Sequence, residues 1–196
     1  MFFLGLDLGQ KRDPSALAMV ERVEKMPAWL AVRHVERMPL GLPYPAVVAR
    51  IREIVLSNEF HGQCTLAVDA TGVGAPVVDM LRAARLGCPM TAVTITGGEK
   101  ASGDQWSANA SVPKRDLMAE MLVLLEHRKL RIGQMPEGAQ LIRELKDMRA
   151  KLTSQGTVRI GAEGTGEHDD LAMALALACW RAKSRPPCGE MTRRLI

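Results

Sequence analysis

The sequence predicts an α/β fold built on one mixed sheet, in which three antiparallel strands are followed by two parallel strands and helices flank the sheet. Two observations predict it. Five short apolar segments have the length and side-chain pattern of strands, and the last two each follow a segment with helical spacing. Strands joined by short connections pair antiparallel, whereas a strand reached through a helix pairs in parallel with an earlier strand.

The three antiparallel strands come first. Residues 2–8 are apolar on both faces apart from Asp7, which is typical of a buried strand. Residues 16–21 form the second strand, and residues 29–35 alternate in side-chain character, which predicts a third. The short connections between these strands predict a meander.

The two parallel strands follow, each after a helix. Residues 44–60 come after Pro43, place valine and isoleucine at helical spacing, and lead to a strand at residues 65–69. Residues 74–86 carry a proline in the first turn, where a helix tolerates it, and lead to a strand at residues 90–95.

The remainder of the chain predicts helices, a hairpin and one long loop. Residues 97–112 are rich in Gly, Ser, Ala and Asn, which predicts a loop of a length that is often functional. Helices are predicted at residues 113–128, 138–151 and 168–183, and a hairpin at residues 151–162. No internal repeat and no linker divides the sequence.

One domain is predicted at residues 1–183, followed by a basic tail at residues 184–196. A chain of 196 residues, of which 47 % are hydrophobic and 24 % charged, is typical of one globular domain with a core of its own. The net charge of +4 permits a polyanionic partner without requiring one. The tail is either a solvated terminus or an arm that contacts phosphates.

A cytoplasmic protein is predicted. The first residues show neither the basic segment nor the cleavage site of a signal peptide. The apolar stretch near the C-terminus is too short to span a bilayer, so no membrane is expected. The four cysteines lack metal-ligand spacing and are typical of buried side chains in a reducing compartment.

Four aspartates lie where predicted strands or helices end. Asp7 comes late in the first strand, Asp69 closes the fourth, and Asp169 and Asp170 open the final helix. Each has a simpler explanation, as a turn residue, an N-cap residue or an acid favoured at a helix N-terminus. Their coincidence favours a shared role, because buried carboxylates are costly without a partner that neutralises them.

Mg²⁺ or Mn²⁺ is the predicted partner of these acids. Hard divalent ions take oxygen ligands, and two of them about 3.5–4 Å apart activate water and stabilise the leaving oxygen of a phosphodiester. Asp170 is expected to be the main ligand of its pair, because adjacent helical positions face apart and Asp170 shares its face with apolar residues. Glu167 and His168 are secondary candidates, for an outer contact and for capping or ligation.

Four blocks of sequence resemble the nuclease domain of phage terminase large subunits. They are Gly5-Leu6-Asp7-Leu8-Gly9, Asp13-Pro14-Ser15-Ala16-Leu17, Val68-Asp69-Ala70-Thr71-Gly72-Val73-Gly74-Ala75-Pro76-Val77-Val78-Asp79 and Gly166-Glu167-His168-Asp169-Asp170-Leu171. The resemblance covers roughly residues 3–181 in the right order. Any one block alone is weak, whereas the second and fourth together are fairly specific.

The resemblance implies an RNase H-like fold and a divalent-metal endonuclease that cuts concatemeric double-stranded DNA during genome packaging. The metal-binding acids of the family correspond to Asp7, Asp69 and the Asp169–Asp170 pair. The family's hairpin near the active site, which lies against DNA, corresponds to about residues 151–162.

One part of the family's pattern is missing. A complete large subunit carries an ATPase with a GxxxxGK[ST] phosphate loop, and this sequence contains no such motif. The resemblance therefore implies an excised nuclease domain or a stand-alone relative. A stand-alone relative would work with a separate packaging ATPase, a small terminase subunit or a portal, in the cytoplasm of the host cell.

Six basic residues are candidate DNA contacts, although each is also explained as a solvated surface charge. They are Lys11, Arg12, Lys114, Arg115, Lys151 and Arg159. Lys11 and Arg12 are favoured by their proximity to Asp7 in the sequence. No helix rich in Arg, Asn or Gln indicates sequence-specific recognition.

Three other functions are compatible with parts of the pattern. A Holliday-junction resolvase-like enzyme shares the arrangement of acids, and a non-catalytic structural module shares the fold. A sugar kinase or actin-like nucleotide-binding protein shares the glycine–aspartate motif of the first strand, but such proteins need two domains and a much longer chain.

Overall fold

The mixed α/β sheet predicted from the sequence is confirmed, with two more strands than expected. The computed structural model describes residues 1–9, 13–60, 63–72, 74–152, 158–162 and 169–183. In chain order the elements are β1 (Phe2–Asp7), β2 (Ala16–Val23), β3 (Trp29–Arg37), α1 (Tyr44–Val55), β4 (Cys64–Asp69), α2 (Gly74–Ala83), β5 (Met90–Thr96), β6 (Asn109–Pro113), α3 (Lys114–Glu126), β7 (Leu130–Ile132), α4 (Gly138–Asp147), β8 (Met148–Leu152), β9 (Val158–Ala162) and α5 (Asp170–Arg181).

The central sheet has seven strands in the order β6-β5-β4-β1-β2-β3-β7. β1, β2 and β3 form the predicted antiparallel meander. β4 pairs in parallel with β1, and β5 pairs in parallel with β4, as expected for strands that follow helices. The carboxyl ends of β1 and β4 therefore lie side by side at one edge of the sheet.

Both additional strands lie at the outer sides of the sheet. β6 pairs in parallel with β5 inside the segment predicted as a loop, so that prediction was wrong for its last residues. Ala110 and Val112 are buried on either side of a partly exposed Ser111, an alternation that the surrounding Gly and Ser residues obscure. β7 pairs in parallel with β3 over three residues, too few to give a recognisable pattern.

Several helices are shorter than predicted. α1 ends at Val55 rather than at residue 60, and α2 ends at Ala83, shortly before Arg85 adopts a positive φ of 50°. α4 ends at Asp147 because Met148 begins β8. Helix ends depend on local capping and on neighbouring elements, which the apolar spacing does not report.

The predicted hairpin is present and begins three residues earlier than expected. β8 and β9 form a separate two-stranded antiparallel sheet, with register from Met148↔Ala162 to Leu152↔Val158. Lys151 and Arg159 are register partners in this hairpin.

The sheet is covered on both faces. Alternate residues of β1, β2 and β4 pack against α5 on one face and against α1 and α2 on the other. Gly5 lies where α5 crosses β1, and a Cβ there would come within 2.0 Å of the carbonyl oxygen of Ala174. Glycine therefore lets the helix lie directly against the strand. Among the described residues, no helix combines the length and the apolar character needed to cross a membrane.

Candidate metal centre

Five aspartates line one cavity, and the four predicted from the sequence come to it from three elements. Asp7 ends β1, Asp69 ends β4, and Asp169 and Asp170 stand at the start of α5. Because β1 and β4 are parallel neighbours, their final residues share one edge of the sheet, and α5 begins at that edge. The cavity has a volume of about 340 Å³ and is lined by Asp7, Leu8, Gly9, Asp13, Asp69, Thr71, Ile95, Lys114, Asp169, Asp170 and Met173.

Burial and, for Asp7, neighbouring carboxylates raise the pKa of two of these aspartates, Asp7 and Asp69, to different degrees. Burial, followed by the charges of Asp69, Asp170 and Asp169, raises the pKa of Asp7 well above its usual value. Burial also raises the pKa of Asp69, although hydrogen bonds from Thr71 and Asp7 oppose the shift. The cavity is therefore a place where added positive charge is favourable.

Thr71 fixes the orientation of Asp69. Its backbone N–H donates to Asp69 Oδ1 at 2.7 Å. Its hydroxyl oxygen accepts a hydrogen bond of 2.7 Å from the backbone N–H of Ile95 in β5. Thr71 therefore connects the end of β4 to β5. The hydroxyl group that makes this connection is one reason for a threonine at this position of the third sequence block.

Lys114 brings a positive charge into the cavity. It is the first residue of α3, immediately after β6, and its Nζ lies 2.7 Å from Asp169 Oδ2. The same charge lowers the pKa values of Asp7 and Asp69 against the effect of burial. The sequence predicted Lys114 as a phosphate contact, and the structure places its ammonium group among the acids. Its role toward DNA stays a prediction.

The two adjacent aspartates have different surroundings. Asp170 is buried, and its Oδ2 lies 3.6 Å from Nη2 of Arg37 at the end of β3. Asp169 is partly exposed and pairs with Lys114. Both line the cavity, so the expectation that Asp170 is the main ligand stays a prediction.

The remaining predicted site residues lie elsewhere or outside the described residues. Arg115 pairs with Asp116 at 3.2 Å, and its side chain is partly exposed away from the cavity lining. The other predicted residues are Lys11, Arg12, Glu167 and His168, which fall outside the described residues, and Lys151 and Arg159, whose side chains do so although their strands are described. The tail predicted at residues 184–196 also lies outside them.

The sequence analysis missed Asp13, Arg37 and Glu144. Asp13 lines the cavity, and it stands in the second of the blocks quoted above, so a signal was present. Arg37 and Glu144 form a buried ion pair next to Asp170. No sequence signal marked these two, because their contacts join residues more than a hundred positions apart along the chain.

The donor set fits a hard divalent cation. Carboxylate oxygens are the preferred ligands of Mg²⁺ and Mn²⁺, and their mutual repulsion in this cavity is what a bound cation relieves. Among the described residues, no three side chains of ligand type are already close enough to form a ready-made metal site.

Fold and cavity together place the chain in a structural class, the RNase H-like domains with an acidic centre at the sheet edge. The large terminase nuclease from thermophilic phage G20c has a similar structure, with a TM-score of 0.67, 24 % identity, and coverage of 91 % of this chain and 80 % of that one. The nuclease domain of the large terminase from Thermus phage P74-26 gives a TM-score of 0.62 and 22 % identity, with coverage of 91 % and 77 %.

Metal-bound forms of such domains are also similar to this chain. The G20c nuclease matches in structures with bound cobalt and bound magnesium. The nuclease domain of the SPP1 large terminase with bound manganese matches with a TM-score of 0.57 and 11 % identity, covering 92 % of this chain and 86 % of that one. The resemblance to terminase nucleases is thus confirmed as a shared fold. No protein-family model matches the sequence, and no curated protein matches it.

Proposed function

We propose that the protein is a divalent-metal-dependent endonuclease that cuts double-stranded DNA. The observation that carries the proposal is the convergence of Asp7, Asp69 and the Asp169–Asp170 pair, from three separate elements, on one cavity at the sheet edge. A purely structural core has no need of several carboxylates at one cavity, where burial and neighbouring negative charges raise the pKa of Asp7 well above its usual value. The similarity to nuclease domains that bind cobalt, magnesium and manganese supports the same conclusion.

The four predicted acids would share one task, which is to hold the divalent metal. Asp7, Asp69 and Asp170 would provide carboxylate oxygens, with Asp169 as a further ligand. Thr71 holds Asp69 in orientation through its backbone N–H. When bound, Mg²⁺ or Mn²⁺ supplies activation of water and neutralises charge on the leaving oxygen of the phosphodiester. The ammonium group of Lys114 lies beside Asp169, and we expect it to contact a phosphate of the bound DNA.

DNA is expected to approach the open side of this cavity. The hairpin of β8 and β9 carries Lys151 and Arg159 as register partners, so their positions coincide along the hairpin. Lys11 and Arg12, Arg115, and the basic tail at residues 184–196 are further candidates for phosphate contact. Such contacts hold the duplex without reading its sequence, because phosphates are the same at every step.

A role in phage genome packaging is the biological setting we propose. The similar HK97 large terminase is much longer, and this chain covers 38 % of it, with a TM-score of 0.60 and 16 % identity. A nuclease domain of this kind would then act with a packaging ATPase, a small terminase subunit or a portal, in the host-cell cytoplasm.

The first experiment measures cutting of supercoiled plasmid and of a synthetic four-way junction with Mg²⁺, with Mn²⁺ and with EDTA. Asp69→Asn is the test variant, and Glu53→Gln is the control, because Glu53 is an exposed carboxylate outside the cavity. Metal-dependent plasmid cutting that only Asp69→Asn abolishes supports the proposal. Cutting confined to the junction would favour a resolvase-like enzyme. Absence of cutting and of any metal-induced rise in Tm would leave a non-catalytic module.

A further inference from the structure

The N-terminus of α5 is capped by a side chain from another helix. Asp169 is the N-cap residue, yet within the described part of the chain its side chain makes no capping hydrogen bond and instead accepts one from Lys114. The backbone N–H of Ala172 donates to Glu144 Oε2 at 3.0 Å. An aspartate at an N-cap ordinarily fills this role for its own helix.

Glu144 is held in place by a guanidinium group. It lies on α4 and is only 6 % exposed. Arg37 donates from Nη2 to Glu144 Oε1, and the same Nη2 lies 3.6 Å from Asp170 Oδ2. The backbone N–H of Arg37 donates to Glu137 Oε2 at 2.6 Å, just before α4 begins. Arg37, which is partly buried, therefore joins the end of β3, the helix α4 and the first residue of α5.

The ion pair of Arg37 and Glu144 is largely removed from solvent, and desolvating two charges opposes folding. A buried pair often contributes no more to stability than apolar side chains of the same volume. Its effect here is to satisfy the N–H group of Ala172 in the first turn of α5, a group that an N-cap side chain ordinarily satisfies. Because Glu144 accepts that hydrogen bond, the Asp169 carboxylate is available to the cavity.

We propose that Glu144, held by Arg37, is a positioning residue that caps α5 in place of Asp169 and thereby keeps the Asp169–Asp170 pair turned toward a divalent cation. This inference rests on the proposed metal-dependent function. It assigns to α4 a task in the metal site although α4 contributes no residue to the cavity lining. Partners that orient ligands in this way commonly change metal affinity about 10–100-fold when they are removed.

The test measures Mn²⁺ affinity from the electron paramagnetic resonance signal of free Mn²⁺. Glu144→Ala removes the cap, and Glu144→Gln keeps an oxygen acceptor for the helix. Glu36→Ala is the matched control, since it removes a carboxylate that pairs with Arg50 outside the cavity. We expect Mn²⁺ binding at least about 10-fold weaker in Glu144→Ala, most of the affinity restored in Glu144→Gln, and no change in Glu36→Ala.

Unaltered Mn²⁺ affinity in a folded Glu144→Ala variant overturns the inference, because Glu144 would then be structural only. If that variant does not fold, the double substitution Arg37→Met with Glu144→Leu replaces the pair by apolar side chains. The same loss of affinity is expected there, and wild-type affinity overturns the inference. A wild-type protein that binds no Mn²⁺ overturns the proposed function as well, whereas metal-dependent cutting with unaffected variants overturns only the positioning role.

Discussion

The acid cavity and the ion-pair cluster between β3 and α1 differ in how their charged groups are arranged. In the cluster, which consists of His34, Glu36, Arg50 and Glu53, Arg50 Nη2 lies 3.0 Å from Glu36 Oε2, Arg50 Nη1 lies 2.8 Å from Glu53 Oε2, and His34 Nε2 lies 3.1 Å from Glu36 Oε2. These side chains are at least partly exposed, and the guanidinium group of Arg50 lies against both carboxylates. In the acid cavity, carboxylates from β1, β4 and α5 lie near the ammonium group of Lys114, and burial raises the pKa values of two of them.

This difference supports a functional role for the cavity rather than for the cluster. Exposed ion pairs contribute about 0–1 kcal/mol each and are common on protein surfaces. Buried groups of like charge oppose folding, and they occur most often at sites that bind a ligand or a metal. Four predictions, in order of decreasing effect, test this contrast and the helix packing that positions the cavity.

Asp7→Asn is expected to affect activity and stability in opposite directions. Loss of an essential metal ligand should reduce DNA cutting by about 10³-fold or more, equivalent to about 4 kcal/mol of transition-state stabilisation. The metal-free protein should melt at a higher temperature than wild type, because a neutral side chain replaces a buried carboxylate among other carboxylates. Plasmid cutting and calorimetry in EDTA measure the two effects, and a lowered Tm would contradict the electrostatic interpretation.

Gly5→Ala is expected to destabilise the protein by about 3 kcal/mol or more. The added Cβ would meet the backbone of α5, 2.0 Å from the carbonyl oxygen of Ala174 and 2.5 Å from the nitrogen of Ala178. Backbone atoms cannot move aside as a flexible side chain does, so α5 must shift and carry Asp170 with it. Urea unfolding measures the loss. Gly97→Ala is the control, because a Cβ there meets no atom within 4 Å.

The metal-free protein is expected to lose stability as the pH rises. The folded-state pKa of Asp7 lies above its ordinary value of 3.8, so the folded state holds this proton more tightly than the unfolded chain does. The stabilisation is complete below that ordinary value and is lost as the pH rises through the folded pKa, with a slope of at most about 1.4 kcal/mol per pH unit for one group.

Glu144 acts in the same direction, because burial raises its pKa to about 7. Urea unfolding in EDTA at about pH 5 and about pH 8 measures the combined effect. Saturating Mg²⁺ should remove the share of the difference that comes from the cavity acids, since the cation then neutralises them, and leave the share of Glu144. Equal stability at the two pH values without Mg²⁺ would contradict the raised pKa values of Asp7 and Glu144.

Arg50→Ala is expected to have the smallest effect. Its loss should cost about 1 kcal/mol or less, and less at high salt, because Arg50 is partly exposed and its partners Glu36 and Glu53 remain solvated. DNA cutting should be unchanged. A large loss of cutting with normal stability would mean that the ion-pair cluster between β3 and α1 takes part in function, against the distinction drawn between that cluster and the cavity.

Most of the centre of the fold was predictable from the sequence. The meander of β1, β2 and β3 and the parallel strands β4 and β5 follow from apolar patterns and connection lengths. The same alternation places Asp7 with Phe3 and Asp69 with Ala67, on the face of the sheet that α5 covers. A period of two along neighbouring parallel strands was therefore enough to bring the two acids together.

The two outermost strands of the sheet, β6 and β7, were not predictable from the sequence. β7 has three residues, and β6 begins in a segment rich in Gly and Ser. Such strands form because a neighbouring strand offers unpaired backbone groups, which is a property of the assembled sheet. The position of Lys114 in the cavity was unpredictable as well. Lys114 follows β6 directly, so the pairing of β6 with β5 decides where it lies.

The sequence by itself identified four of the five aspartates that line the cavity, the strands that carry Asp7 and Asp69, and the helix that Asp169 and Asp170 open. Tertiary structure alone decided that Glu144 caps that helix and that Arg37 joins Glu144 to Asp170. The physical reason is range. Strand and helix periods are local and repeat along the chain, whereas a buried ion pair depends on two distant segments meeting, and no local pattern records that meeting.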